Sequence, residues 1–423
     1  MRRTSALAVL FALVAVAGCR VETDAPPSSD APAGADQAVA TLGDDALPSD
    51  ADLEANRYTG RGRTAGADTA ALAEAARQNP ETLASFDTLR DVSSELRLPL
   101  GGDVEGPSVA KLQVLLDRAG FSPGEIDGRW GDNTELAVSA FQRAQRLRPT
   151  GIVDRATARA LQERAGSPRE LLVSHRLTQA DIGGPFVEIP DDVYERAELD
   201  RLGYESAAEQ LGERFHASPA FLSRLNGGVD LDGLGVGDTL RVPNVRDATR
   251  PAGSVAEIVV SGEAGTLQAL DASGTVVFHA PVTVGSSYDP SPEGDFRVES
   301  VTRDPWWHYQ PSILASVPDD QPEARLPPGP NNAVGVVWMA LSKEHYGIHG
   351  TKAPGTIGYA SSAGCVRLTN WDASHLASLV SAGTPVRFRA PGEARPGGAA
   401  ADSARAGRSA APARAGQGGA RDV

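Results

Sequence analysis

The chain is 423 residues long and carries 55 acidic against 40 basic side chains, a formal net charge of −15 at pH 7. That length exceeds what one hydrophobic core usually supports, so several domains are expected. The acidic balance sets aside a nucleic-acid partner, which would need a basic footprint, and otherwise fits simple solubility.

The N-terminal segment reads as an export signal. Arg2 and Arg3 precede an apolar stretch from Ala6 to Ala17, shorter than the roughly 20 residues a bilayer span requires. A positive flank, a short apolar core and small residues at its end are the pattern of secretory signals. The segment closes on Val16-Ala17-Gly18-Cys19, which resembles a bacterial lipobox. The resemblance implies a lipoprotein signal over 1–19, a lipid on Cys19 and attachment to a membrane through that lipid. An ordinary signal that happens to contain a cysteine is the alternative. A lipoprotein of this kind resides in the cell envelope, in the periplasm if the cell has an outer membrane. The sequence holds two cysteines. With Cys19 lipidated, Cys365 has no intramolecular partner and no structural disulfide is expected, despite an oxidising destination. Such a cysteine is either buried and inert or reactive.

Residues 20–66 are rich in Ala, Asp, Pro and Gly and cannot bury enough apolar surface to offset their ordering entropy, so a flexible tether is expected. Over 67–98, Leu72, Ala75, Leu83 and Leu89 recur at roughly helical spacing, which predicts linker helices. At the other end, 391–423 is an Ala/Gly/Arg/Pro-rich tail with the composition of disorder.

A first compact module spans 103–165. Val109, Leu112, Leu115, Leu116 and Ala119 mark one face of a helix. After an Asp127-Gly128 turn, Asp132 is placed to cap a second helix with Glu135 in the capping-box position. Asp154 is placed to cap a third, carrying Ala158 and Leu161. The run from Val109 to Leu161 contains LQ, DGRWG, AVSAFQ, TG and D-x-x-T elements in order and resembles the peptidoglycan-binding domain of cell-wall hydrolases. Ser108-Val109-Ala110-Lys111 spells the S-x-x-K of penicillin-binding proteins, but no K-T-G or S-D-N companion accompanies it and it is set aside as coincidence.

A second module covers 190–245. Ser218-Pro219 makes a cap and first-turn pair, Asn226-Gly227 ends the helix, and Thr239 to Pro243 reads as a strand. This stretch resembles a divergent LysM domain, a carbohydrate-binding βααβ unit whose opening strand is not evident here. A plain spacer is the alternative.

From 254 to 390 the texture turns to short β-prone runs: Ile258 to Val260, Leu267 to Leu270, Val276 to Phe278, Val282 to Val284, Phe296 to Val298 and Val334 to Trp338. Asp271 to Gly274 marks a hairpin. Four of the five tryptophans, Trp306, Trp307, Trp338 and Trp371, fall here, as expected of core packing or an aromatic-lined groove.

Within this region Gly347-Ile348-His349-Gly350-Thr351 precedes Ser362-Ala363-Gly364-Cys365-Val366-Arg367-Leu368. A thiol is only partly ionised at neutral pH, so an imidazole that takes its proton makes it a far better nucleophile. The base needs an acceptor to fix its tautomer, and no carboxylate follows His349 closely until Asp372, which leaves a backbone carbonyl. The spacing, with S-x-G-C-V-R around the thiol, resembles the bacterial L,D-transpeptidase catalytic domain. The resemblance implies that Cys365 is the nucleophile and His349 its base, that Gly350 offers its carbonyl to the second imidazole nitrogen, and that Ser362 supports the site. Gly364 would let backbone N–H groups form an oxyanion hole, and Arg367 would bind a substrate carboxylate. The family usually shows Ser-His-Gly-Cys; here Ala363 replaces that histidine, which touches substrate positioning and rate.

His345 and His349 would share a face only on a helix, which Gly347 and Gly350 disfavour, so no metal is expected and no cofactor either. His345 and His375 are read as surface or packing residues. The fold class expected is multidomain α+β: a mostly-β L,D-transpeptidase domain preceded by a three-helix peptidoglycan-binding bundle and a LysM-like unit. The function expected is transfer of a stem-tetrapeptide acyl group to an amine, with peptidoglycan stems and glycan as partners. Hydrolysis by the same thioester, or a catalytically weak wall-binding lipoprotein, are the alternatives.

Overall fold

The computed structural model describes residues 67–87, 89, 93–245, 255–286, 289–313 and 321–389. Cys19 with its signal, the tether and the tail lie outside them. Helix α1 (Ala67–Arg77) and a short 3₁₀ turn at Leu83–Phe86 open the described chain. Three helices follow, α2 (Pro107–Ala119), α3 (Asp132–Ala144) and α4 (Arg155–Arg164). Their apolar stripes meet as the spacing predicts: Leu112, Leu115, Leu116, Phe141 and Leu161 are fully buried, and Phe121 meets Phe141 edge-on with centroids 5.3 Å apart. Asp154 caps α4 by accepting from the Thr157 N–H at 2.8 Å. The expected capping box on α3 does not form. Gly131 is the cap, Asp132 is already helical, and the buried Glu135 lies against the Gly151 turn, inside the bundle and away from the helix start.

Strand β1 (Leu172–Arg176) pairs antiparallel with β2 (Thr239–Pro243), from Leu172↔Pro243 to Arg176↔Thr239. Between them lie the short helices α5 (Gln179–Ile182), α6 (Val193–Ala197), α7 (Ala207–Arg214) and α8 (Pro219–Leu225). Ser218 caps α8, its hydroxyl accepting from the Phe221 N–H at 3.2 Å. A strand that pairs with β2 thus lies ahead of residue 190, where the sequence pattern marks none. It escapes notice because only Leu172 is buried in it, which leaves almost no alternation.

The third part is an eight-stranded mixed sheet ordered β11-β10-β9-β6-β12-β3-β4-β5. Its strands are β3 (Glu257–Ser261), β4 (Thr266–Leu270), β5 (Val276–Pro281), β6 (Gly294–Arg303), β9 (Val337–Leu341), β10 (Gly347–His349), β11 (Val366–Arg367) and β12 (Pro385–Arg389). A separate hairpin joins β7 (Trp307–Tyr309) to β8 (Ala324–Leu326). Helix α9 (Asn370–Leu379) follows β11 directly, capped by Thr369. The run Val282 to Val284 is not a strand but makes a single bridge, Thr283 to Arg367. The strand expected from Val334 begins only at Val337.

The bundle and the sheet share one apolar core, in which Val259, Leu270 and Val276 of the sheet join Leu112, Phe121 and Phe141 of the helices. The seam is also hydrogen-bonded. The His279 N–H donates to the Gly120 carbonyl at 2.9 Å and the Ser122 N–H to the His279 carbonyl at 2.8 Å. Ser122 Oγ donates to Asp372 at 2.6 Å, and Asn133 Nδ2 to the Ile357 carbonyl at 2.8 Å.

Candidate active site

Strands β10 and β11 run parallel, with Ile348 opposite Val366 and His349 opposite Arg367. Side chains alternate along a strand, so Cys365, one residue before Val366, projects to the same face as Arg367 and His349. The Leu368 N–H donates to the His349 carbonyl at 2.8 Å, which locks this register. Two residues distant in sequence are thus set diagonally across one ladder.

His349 is fully buried. Its Nδ1 lies 2.6 Å from the Gly350 carbonyl oxygen. A carbonyl only accepts, so Nδ1 carries the proton and Nε2 keeps its lone pair. Nε2 has no hydrogen-bond partner among the described residues. Trp338, opposite His349 on β9, stacks on the imidazole with centroids 5.4 Å apart. Gly347 makes this possible, since a methyl group there would lie 2.5 Å from the indole Cζ2. Burial, with the Arg367 guanidinium adding to it and the Gly350 carbonyl opposing, pushes the imidazole down to about 3. At neutral pH the ring is an uncharged proton acceptor.

Cys365 forms no disulfide among the described residues and is fully buried, in a cluster with Leu202, Trp307, Tyr309, Leu326 and Trp338. Its thiol points toward the His345 carbonyl, 3.8 Å away. Two serines hold the loop that carries it. Ser362 Oγ donates to the Cys365 carbonyl at 2.6 Å, and Ser291 Oγ to the Gly364 carbonyl at 2.8 Å. Gly364 has φ +105°, and a methyl group there would come 2.8 Å from Tyr346 Cε1. The Tyr346 phenol is pushed up by burial and by the neighbouring Cys365 and Asp289. Arg367 extends from the same face, its guanidinium reaching the Ser361 carbonyl at 3.4 Å.

The sequence-predicted residues Cys365, His349, Gly350, Ser362, Gly364 and Arg367 therefore meet in one place. Tyr346, Ser291 and the His345 carbonyl belong there too and were not anticipated, and Trp338, one of the tryptophans read as core or groove, joins them. Of the four tryptophans read as core packing or an aromatic-lined groove, Trp307, Trp338 and Trp371 are buried, and Trp306, 43 % exposed, faces solvent with Arg325 over its ring. His345 adopts φ +68° in the turn before β10, so no helical face joins it to His349. His375 packs against Phe278.

Residues 256–388 match the family profile described as the L,D-transpeptidase catalytic domain. Residues 105–161 match one described as "Putative peptidoglycan binding domain". The "Putative L,D-transpeptidase YkuD" of Bacillus licheniformis is 30% identical over 178 residues, 42% of this chain and 90% of the relative. The protein of that name from Bacillus subtilis is 34% identical over 172 residues, 41% of this chain and 87% of the relative. The chain belongs to the L,D-transpeptidase family. This transpeptidase is also similar to the crystal structure of an L,D-transpeptidase from Xylanimonas cellulosilytica, at 17% identity over 70% of this chain and 99% of that one, with a TM-score of 0.30. Sequence kinship, not superposition, carries the assignment.

Proposed function

We propose that this L,D-transpeptidase acts on peptidoglycan stems through a thioester on Cys365. The observation that carries this is the single-tautomer imidazole: His349 holds Nδ1–H on the Gly350 carbonyl and keeps Nε2 bare on the face it shares with the thiol. In the first half-reaction Nε2 takes the thiol proton and the sulfur attacks the carbonyl carbon of the third stem residue. Backbone N–H groups of the Gly364–Cys365 loop stabilise the oxyanion. The peptide bond breaks, the departing D-Ala amine takes the proton from His349, and Cys365 is left acylated. An acceptor amine then attacks the thioester, passes its proton through His349 to the sulfur, and leaves with the acyl group. Arg367 binds a stem carboxylate. Ser362 and Ser291 keep the nucleophile loop in register.

The peptidoglycan-binding bundle and the LysM-like unit hold the enzyme on polymeric wall, which keeps acceptor stems close and favours transfer over hydrolysis. The Val-Ala-Gly-Cys motif supports a lipid on Cys19 as the anchor in the cell envelope. Among the described residues no helix is long and apolar enough to cross a membrane.

The test is mass spectrometry of tetrapeptide stems bearing a free side-chain amine, incubated with the purified chain. The expected products are 3→3 cross-linked dimer and free D-Ala, with an acyl-enzyme adduct on Cys365. Mostly tripeptide would reassign the enzyme as a carboxypeptidase. Undiminished turnover by C365S or H349A would remove these residues from the mechanism.

A further inference from the structure

We propose that Glu213, carried by the LysM-like unit, is a positioning residue for the catalytic imidazole, acting through Asn370 on the Gly350 carbonyl that holds His349. The proposal rests on His349 being the base. Glu213 lies on α7, outside the catalytic sheet, and its Oε1 accepts from Asn370 Nδ2 at 2.8 Å. Asn370 is buried at the first turn of α9. Its Nδ2 also donates to the Pro330 carbonyl at 3.3 Å, and its Oδ1 accepts from the Val336 N–H at 3.2 Å. That same Oδ1 rests directly on Gly350, where an added methyl group would lie 2.1 Å from it. The Gly350 N–H in turn donates to the Val337 carbonyl at 3.2 Å, and the Gly350 carbonyl receives the His349 Nδ1–H at 2.6 Å. An unbroken chain of contacts runs from Glu213 to the ring.

The direction of the Asn370 amide is what Glu213 decides. A side-chain amide has one donor end and one acceptor end of nearly the same shape, so its orientation is set by its partners. With an acceptor at position 213, the NH₂ turns toward α7 and the oxygen toward Val336 and Gly350. Without that acceptor one anchor is lost, and a flipped amide would set its NH₂ against the Val336 N–H. Gly350 would then shift, and with it the carbonyl that fixes the tautomer and tilt of His349. Outer-shell partners of a functional histidine work in this way. Packing does not compensate for a lost hydrogen bond here. Glu213 and Asn370 line a cavity of about 390 Å³ together with Tyr204, Gln210, Arg214 and Trp371. Burial, reinforced by Glu209 and Glu125, raises the Glu213 carboxyl to about 8. At neutral pH it is an uncharged acid whose carbonyl oxygen accepts, a form that glutamine reproduces.

The test compares E213L, E213A, E213Q and N370D in the full chain. Turnover of stem tetrapeptides is read alongside ¹⁵N NMR of the imidazole, which reports the tautomer whether or not the enzyme turns over. E213L should lower kcat by about tenfold or more with KM unchanged, the scale typical of lost outer-shell partners, and should blur the Nδ1–H signature. E213Q should match the parent in both readouts. N370D should be impaired, because the Pro330 carbonyl loses its donor and a buried charge is added. E213A removes the acceptor without adding an apolar branch and should follow E213L, so the comparison holds even where E213L does not fold. A parental kcat and NMR signature in E213L or E213A, or an E213Q as impaired as these, would overturn the proposal. A chain inactive toward stems but showing these tautomer changes would sink the substrate assignment and leave the relay standing.

Discussion

Trp338 and His349 stand opposite each other on β9 and β10, and their rings stack with planes 26° apart. The contact explains three features of the site together. It covers the imidazole from water, it contributes to the burial that keeps the ring uncharged, and it requires glycine at 347, because a side chain there would occupy the place of the indole.

Gly347→Ala is therefore expected to act on catalysis from a position that touches no substrate. The added methyl must displace the indole, a form of overpacking that costs about 1–3 kcal/mol. Turnover should fall by roughly 10²-fold, the scale of a misplaced catalytic group. Thermal unfolding and stem turnover measured on the same sample check this; parental kcat in G347A would show that the stacking has no catalytic role.

How much of this was visible in the sequence depends on the kind of contact. Cys365, His349 and the glycines around them are local strings, and the structure sets them side by side on β10 and β11. The bundle was legible because Leu112, Leu115, Phe141 and Leu161 repeat at helical spacing. Ser291 and Tyr346 were not identified, and Trp338 was named only as a core or groove residue, because each reaches the site through strand order or a loop crossing that no local pattern records. The same limit hid Glu213, which is joined to Asn370 only by folding of separate modules. Glu135 misled for a related reason: its spacing from Asp132 fits a cap, while its burial is decided by packing against Gly151.

Acid stability should carry the signature of His349. Its imidazole is lowered from the ordinary histidine value to about 3 in the folded chain, chiefly by burial, with Arg367 facing it. Between about 3 and 6.5 the unfolded chain binds a proton that the folded chain refuses, so stability falls as pH drops through that window and is complete above it. The slope approaches about 1.4 kcal/mol per pH unit for one such proton. Glu213 works in the opposite sense: its raised carboxyl stabilises the folded chain fully below about 4.5 and loses that contribution as pH rises from there to about 8, so the two slopes oppose each other between about 4.5 and 6.5. Denaturant midpoints from pH 4 to 7 should thus lose their rising component in H349N, so that stability falls more with increasing pH there than in the parent. Equal slopes would show that the imidazole is not held neutral.

Ser362 should behave as a support of the nucleophile loop. Its hydroxyl is buried and donates to the Cys365 carbonyl at 2.6 Å. Removing it leaves a buried carbonyl short of a partner, a loss of about 1–3 kcal/mol. S362A should therefore lower Tm and slow acylation of Cys365, measured by stopped-flow with a thioester-forming substrate, while C365S abolishes acylation. Acylation at the parental rate in S362A would show that the loop is held adequately by Ser291.

The last prediction concerns the seam between the peptidoglycan-binding bundle and the catalytic sheet. Linked modules usually keep separate cores, yet here Val259, Leu270 and Val276 are buried in the same cluster as the bundle helices. The seam also holds Ser122 Oγ against Asp372, a buried carboxylate that receives Thr369 Oγ1 as well, at 2.9 Å. A hydrogen bond to a carboxylate contributes about 1.5–3 kcal/mol, so S122A should lower stability by that order without touching substrate. Because the modules share a core, its effect should appear in one cooperative unfolding transition for the bundle and the sheet together. A fragment limited to 255–389 would bare the apolar patch on β3, β4 and β5 and should aggregate or lose cooperative unfolding. Calorimetry of the parent, S122A and the fragment decides the matter. Two separate transitions in the parent, or a fragment that unfolds cooperatively at the parental Tm, would show that the bundle is only a passenger on the catalytic domain.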